Sequence, residues 1–128
     1  MAEIRIHLDT CFLIRALVSG TDADRHLRDW LGAGHRLCMD SIAWTEFLCG
    51  PLQADERGLA EQIVTERVSF SEQDGQRAAE FFNATGRRRG TLSDCMIAAT
   101  AAGRDAALAT LNPDDFQCFE ALGLKLLP

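Results

Sequence analysis

Lysine is almost missing from this chain: Lys125 stands alone against 19 aspartates and glutamates, and arginine supplies the other positive charges. No apolar run approaches the roughly 20 residues a membrane-spanning helix needs. The opening stretch, Met1 to Leu8, carries alternating charges where a secretory signal has a basic segment followed by an apolar one. A cytoplasmic protein without a membrane partner is expected. The five cysteines, Cys11, Cys38, Cys49, Cys95 and Cys118, are odd in number and include no C-x-x-C pair. This excludes a disulfide framework and a zinc site, and the thiols are expected to be reduced and buried as small hydrophobes. There is no internal repeat, low-complexity tract or long linker, so the 128 residues are read as one domain, 1–128. A broad basic footprint is missing as well. The net charge is −6, the pI is near 4.9, and the one dense basic run is Arg87-Arg88-Arg89. Nucleic-acid binders are usually basic, but acids gathered around a cation invert the local field, so total charge does not decide the partner.

What is present reads as strands alternating with helices. Ile4, Ile6 and Leu8 alternate with Arg5 and His7, which predicts a first strand, and an apolar helix follows from Cys11 to about Val18. Thr21 caps a second helix that stops near Gly32 and Gly34. Arg36 to Met39 reads as a strand. Ser41 caps a helix over Ile42 to Leu48, ended by Gly50-Pro51, and another helix covers Asp55 to Glu66. Val68 to Phe70 is extended, and Ser71 with Asp74 resembles a capping box opening a helix to Thr85. Leu92 to Ala102 is helical, Ala106 to Thr110 is a short buried strand, and Asn112 to Asp115 forms a turn. The tail adds a helical turn around Cys118 to Leu122, a break at Gly123 and an edge strand, Leu124 to Leu127. This alternation predicts a mainly parallel sheet covered by helices on both faces, with ligands at the carboxyl ends of its strands.

Three acids stand out against that frame. Asp9 follows the first strand directly. Asp94 lies in the first turn of its helix, in line with Ile97, Ala98 and Ala101 on an apolar face. Glu46 shares a face with Ile42 and Ala43 and is expected to point at protein. Each alone has an ordinary role: Asp9 as a helix cap, Asp94 in favour of a helix dipole, Glu46 as a solvated rim residue. Together they set carboxylates from three segments at one edge of the sheet, with no lysine or arginine adjacent in sequence. Buried charges need partners, and a divalent ion with oxygen ligands, Mg²⁺ or Mn²⁺, suits carboxylates best.

The ordered set L-D-T-C at Leu8 to Cys11, W-T-E-F at Trp44 to Phe47, L-S-D-C-M-I-A-A-T-A at Leu92 to Ala101 and T-L-N-P-D-D-F at Thr110 to Phe116 resembles the PIN domains, especially the VapC-like toxins of bacterial toxin–antitoxin pairs. The resemblance covers nearly the whole chain. It implies a PIN-like three-layer α/β/α fold with a mainly parallel central sheet, and a metal site of Asp9, Glu46 and Asp94 with a fourth member from the last segment. Asn112 stands where many relatives have aspartate, and Asp115 matches the second acid of that motif, so both are carried as ligands. Thr10 and Thr110 are implied as supporting hydroxyls. The implied activity is metal-dependent endoribonuclease cleavage leaving 5′-phosphate and 3′-hydroxyl ends, with Arg87, Arg88 and Arg89 along the RNA backbone. A cognate antitoxin and a homodimer are the implied partners.

Two other classes compete. A phosphoryl-transfer α/β domain expects D-x-D after the first strand or an acidic pair with a lysine near the last strand, and Asp9-Thr10-Cys11 offers neither. A non-catalytic PIN-like RNA- or protein-binding module is suggested by the amide at Asn112.

Overall fold

The computed structural model describes residues 3–127. The chain forms β1 (Arg5–Leu8), α1 (Thr10–Ala16), α2 (Asp22–Gly32), β2 (Arg36–Asp40), α3 (Ser41–Cys49), α4 (Ala54–Ile63), β3 (Glu66–Val68), α5 (Glu72–Ala84), α6 (Leu92–Gly103), β4 (Ala107–Ala109), α7 (Pro113–Phe116), a 3₁₀ helix (Gln117–Leu122) and β5 (Lys125–Leu126). Every strand pair is parallel and the order is β3-β2-β1-β4-β5. Helices flank the sheet in a PIN-like α/β/α arrangement.

This order positions the site. The chain winds from β1 outward to β2 and β3, then crosses back to add β4 and β5 on the opposite side of β1. The direction therefore reverses between β1 and β4, and in open parallel sheets the crevice for ligands lies at the carboxyl ends of the strands flanking that reversal. The β1–β4 register, with Leu8 opposite Ala109, brings Asp9 and Thr110 to this crevice together.

The expected alternation in β1 is corrected. Ile6, His7 and Leu8 are all buried, whereas Ile4 lies outside the strand and is exposed. A central parallel strand is covered on both faces, so the polar side of an alternating pattern has no water to face. Ile6, Leu8, Leu37, Met39 and Leu108 supply the sheet's share of the core, and Phe47, Ala98 and Ala101 pack on it from α3 and α6. Fully burying a side chain such as Phe47 contributes about 2 kcal/mol.

Three boundaries also differ from expectation. Asp40, not Ser41, caps α3 by accepting from the Ala43 amide at 2.8 Å, while the Ser41 hydroxyl donates to Val68 O and accepts from the Phe70 amide. The helix expected to reach Glu66 ends at Ile63, because Glu66 to Val68 are claimed by parallel pairing with Cys38 to Asp40. The turn at Asn112 is followed by a short helix that Pro113 opens with its preset backbone angle. The cap at Thr21, the capping box of Ser71 and Asp74, and the left-handed break at Gly123, with φ 109°, are as expected. The cysteines divide: Cys38 and Cys95 are buried, Cys11 is half-buried, and Cys49 and Cys118 are exposed, against the expectation of uniformly buried thiols.

Candidate metal-binding site

Asp9 leaves the end of β1 as a continuation of the ladder, its amide donating to Ala109 O at 3.0 Å. It also caps α1, Oδ1 accepting from the Thr10 amide at 2.9 Å. Oδ2 accepts from the Thr110 hydroxyl at 2.8 Å and the Cys11 thiol at 3.2 Å. Asp9 is thus both the helix cap and a fixed carboxylate at the crevice. Thr110, expected as a supporting hydroxyl, is placed against Asp9 by this contact. Cys11 is an addition that sequence reasoning passed over, and its thiol is harder to ionise than usual because it is half-buried and lies beside the Asp9 charge.

Asp94 sits half-buried in the first turn of α6, with Ile97, Ala98 and Ala101 of the same helix fully buried as expected. No hydrogen-bond donor reaches its carboxylate among the described residues. Burial, then the charges of Asp9, Asp115 and Glu46, push its pKa up to about 6. Asp9, Asp115 and Glu46 therefore lie near enough to Asp94 for their charges to be felt there.

Glu46 corrects the inward expectation. It is exposed on α3, where the Thr10 hydroxyl meets it at 2.9 Å and also lies 3.1 Å from Ala43 O. The signal misread was its aromatic bracket: Trp44 and Phe47 turn to the core while Glu46 stays on the rim. The two residues proposed for the fourth position, joined by a backbone hydrogen bond from the Asp115 amide to Asn112 O at 3.0 Å, have different surroundings. Asn112 is turned aside, its side-chain amide donating to Cys11 Sγ at 3.4 Å and its backbone amide to the Thr110 hydroxyl at 3.0 Å. Asp115 acts on Asp94 by its charge and shares with it a cleft of about 110 Å³, lined also by Arg88, Thr91 and Asp114. Of the three arginines, Arg87 is tied to Asn83 at 2.9 Å, Arg88 lines this cleft, and Arg89 is exposed.

No ion pair among the described residues involves Asp9, Glu46, Asp94, Asp114 or Asp115, although acids elsewhere find arginines or Lys125. Among those residues, too, no three His, Cys, Asp or Glu side chains form a group able to enclose an ion by themselves. Hard divalent cations such as Mg²⁺ are commonly held by one or two carboxylates with water completing the shell. Carboxylates that act on one another by charge and lack an ion pair fit that chemistry, and the all-oxygen donor set of Asp9 and Asp94 suits it.

A model of the PIN domain family matches residues 6–121. The chain belongs to this family. Solved structures share the PIN fold along nearly the whole length. A chain of VapBC2 from Rickettsia felis, bound to a DNA fragment from their promoter, is 19% identical, covering 97% of this chain and 98% of its own, with a TM-score of 0.75. VapBC-1 from nontypeable Haemophilus influenzae is 23% identical with 97% of each chain covered and a TM-score of 0.73. VapC20 from Mycobacterium tuberculosis, a sarcin–ricin loop cleaving toxin, is 17% identical over 93% of this chain and 95% of that one, TM-score 0.62. At such identities the likeness is one of fold. No curated protein matches the chain. The strand order also separates this PIN domain from the phosphoryl-transfer domains with an acidic pair and a late lysine, in which the order is 2-1-3-4-5.

Among the described residues, no helix is long and apolar enough to cross a membrane.

Proposed function

We propose that the chain is a single PIN domain, 1–128, acting as a metal-dependent endoribonuclease toxin of the cytoplasm, held in check by a cognate antitoxin and working as a homodimer. The observation carrying this reading is Asp94: a half-buried carboxylate under the charges of three other acids, with no ion pair to offset them among the described residues. Membership of the PIN family supports it, as does likeness of fold to VapBC chains and to a toxin that cleaves the sarcin–ricin loop.

Asp9 and Asp94 would hold the ion, with Glu46 and Asp115 at its periphery and Asn112 contributing through Cys11 and Thr110 rather than by charge. Mg²⁺ or Mn²⁺, when bound, supplies Lewis acidity towards water and phosphate oxygens. The chain's own residues do the rest. Thr110 and the Thr10 amide keep Asp9 in one orientation, and the Thr10 hydroxyl does the same for Glu46. Glu46, exposed on α3 and held by the Thr10 hydroxyl, would take the proton from the attacking water. Arg88 receives a phosphate of the RNA backbone at the mouth of the cleft, with Arg87 and Arg89 behind it. In-line attack of that water on phosphorus would break the bond to the 3′ oxygen, which takes a proton from solvent, leaving 5′-phosphate and 3′-hydroxyl ends. The non-catalytic alternative is suggested by the amide of Asn112; the charge of Asp115 felt at Asp94 supports the catalytic reading over it.

Purified protein incubated with structured RNA is expected to cut it in Mg²⁺ or Mn²⁺ and not in EDTA. Asp94→Asn is expected to lower cleavage by a factor of about 100 or more while the circular dichroism spectrum stays unchanged. Undiminished cutting by that variant would refute the assignment.

A further inference from the structure

Two polar side chains inside the sheet lie outside the machinery described above. His7 of β1 and Asp40 at the end of β2 have no exposed surface. His7 Nε2 and Asp40 Oδ2 are hydrogen-bonded at 2.6 Å, and the other ring nitrogen, Nδ1, faces the Cys38 thiol at 3.7 Å. Asp40 Oδ1 accepts from the Ala43 amide at 2.8 Å. The Ala43 carbonyl in turn lies 3.1 Å from the Thr10 hydroxyl, which meets Glu46 at 2.9 Å, and the Thr10 amide donates to Asp9 at 2.9 Å. Contacts thus lead from His7 through Asp40 and the backbone of Ala43 in α3 to Thr10, whose amide holds Asp9 and whose single hydroxyl proton is shared between Ala43 O and Glu46.

Neither of two simpler roles asks for this pair. A helix cap needs only a short oxygen-bearing side chain, and serine would cap α3 as well as aspartate does. Filling the interior between β1 and β2 is achieved at equal or better stability by apolar side chains, since two buried polar groups must first be stripped of water. What the pair does supply is direction. One carboxylate oxygen fixes the first turn of α3 and the other is fixed to β1, so the helix bearing Glu46 is registered against the strand that ends in Asp9.

We propose that His7 and Asp40 are positioning residues, a buried strut that sets Glu46 on α3 against Asp9 at the end of β1. The proposal rests on the reading of Asp9 and Glu46 as metal-site acids. Residues that orient ligands from behind typically change metal affinity or activity 10- to 100-fold when replaced.

The test uses the full chain and Mn²⁺ alone as probe, with binding followed by electron paramagnetic resonance, and kcat and KM on RNA measured in parallel. Asp40→Ser, which keeps a cap on α3, and His7→Leu, which leaves the Asp40 cap in place, are each expected to weaken Mn²⁺ binding about 10-fold. Both are expected to lower kcat about 10-fold at unchanged KM. His7→Gln keeps a side-chain donor towards Asp40 and is expected to restore most of both. Unchanged Mn²⁺ affinity in the two loss variants overturns the proposal, as does a loss that His7→Gln fails to recover, or a wild-type chain that binds no Mn²⁺. Variants that lose fold and Mn²⁺ binding together overturn it too, because a merely structural strut behaves in that way. A wild type that binds Mn²⁺ but leaves RNA intact refutes the nuclease reading alone, and the Mn²⁺ affinities still decide the role of the strut.

Discussion

Asp74 and Asp94 are the same residue type, each in the first turn of a helix, and α5 and α6, which carry them, pack side by side. Asp74 is buried and satisfied: Arg104 grips both its oxygens, at 2.9 and 3.0 Å, and the Ser71 amide donates to it at 2.9 Å. Burial opposes its charge, but the Arg104 and Ser71 hydrogen bonds outweigh that and hold its carboxyl below the ordinary value of 3.8. Asp94 has burial and three like charges and nothing to set against them, and its pKa rises to about 6. One acid has its counter-charge built into the chain; the other is left for a charge from outside. The contrast shows that this fold is able to neutralise a buried aspartate and does not do so at the crevice.

The largest expected effect comes from breaking the satisfied member. Asp74→Ala strands the Arg104 guanidinium, removes the capping box and is expected to destabilise the protein by about 3 kcal/mol, since removing one partner of a buried pair leaves an uncompensated charge. Urea denaturation measures this, and RNA cleavage per folded molecule should not change.

Asp94→Asn should act in the opposite direction on stability. A shift from 3.8 to about 6 corresponds at most to roughly 3 kcal/mol, which solvent around a half-buried group reduces to about 1 kcal/mol. Because the folded pKa is raised, the native state binds the extra proton. The contribution of Asp94 is favourable below about pH 4 and is lost as pH rises through about 6. Without metal, the wild type should therefore lose stability between pH 4 and 7, and Asp94→Asn should remove that slope and be more stable at pH 7. Denaturation curves in EDTA at several pH values test it; a wild type whose stability is flat over this range contradicts it. Asp74, with its lowered pKa, contributes the opposite slope, its stabilisation being lost as pH falls below the ordinary carboxylate range.

The two acids were not equally legible in the sequence. Ser71 followed by Asp74 announces a capping box because both partners lie within one turn. Asp94 was placed inward by helical spacing alone, and Ile97, Ala98 and Ala101 lie buried beneath it. Legibility fails where a property depends on pairing between distant segments. The Arg104 that neutralises Asp74 is 30 residues away, and the His7–Asp40 bond spans 33. Glu46 reads as inward because its neighbours are apolar, but consecutive residues of a helix spread around its whole circumference, and only the face of Ala43 and Phe47 in α3 is buried. The reversal of strand order between β1 and β4, which puts Thr110 against Asp9, follows from pairing that local patterns do not encode. The ordered motifs did carry the family, since the match spans residues 6–121.

The smallest expected effect decides the fourth position. If Asp115 is the acid that completes the crevice, its charge should be felt at Asp94 and the side chain of Asn112 should not. Asp115 is among the causes of the raised Asp94 pKa, behind burial and Asp9, whereas the Asn112 amide is neutral and spends its donor on Cys11. Asp115→Asn is accordingly expected to bring the Asp94 pKa a small step back towards the ordinary range, and Asn112→Ala to leave it where it is. Carbon-detected titration of the side-chain carboxyls reads both. A shift with Asn112→Ala and none with Asp115→Asn would reverse the order of the two residues and move the fourth ligand to the Cys11 side of Asp9.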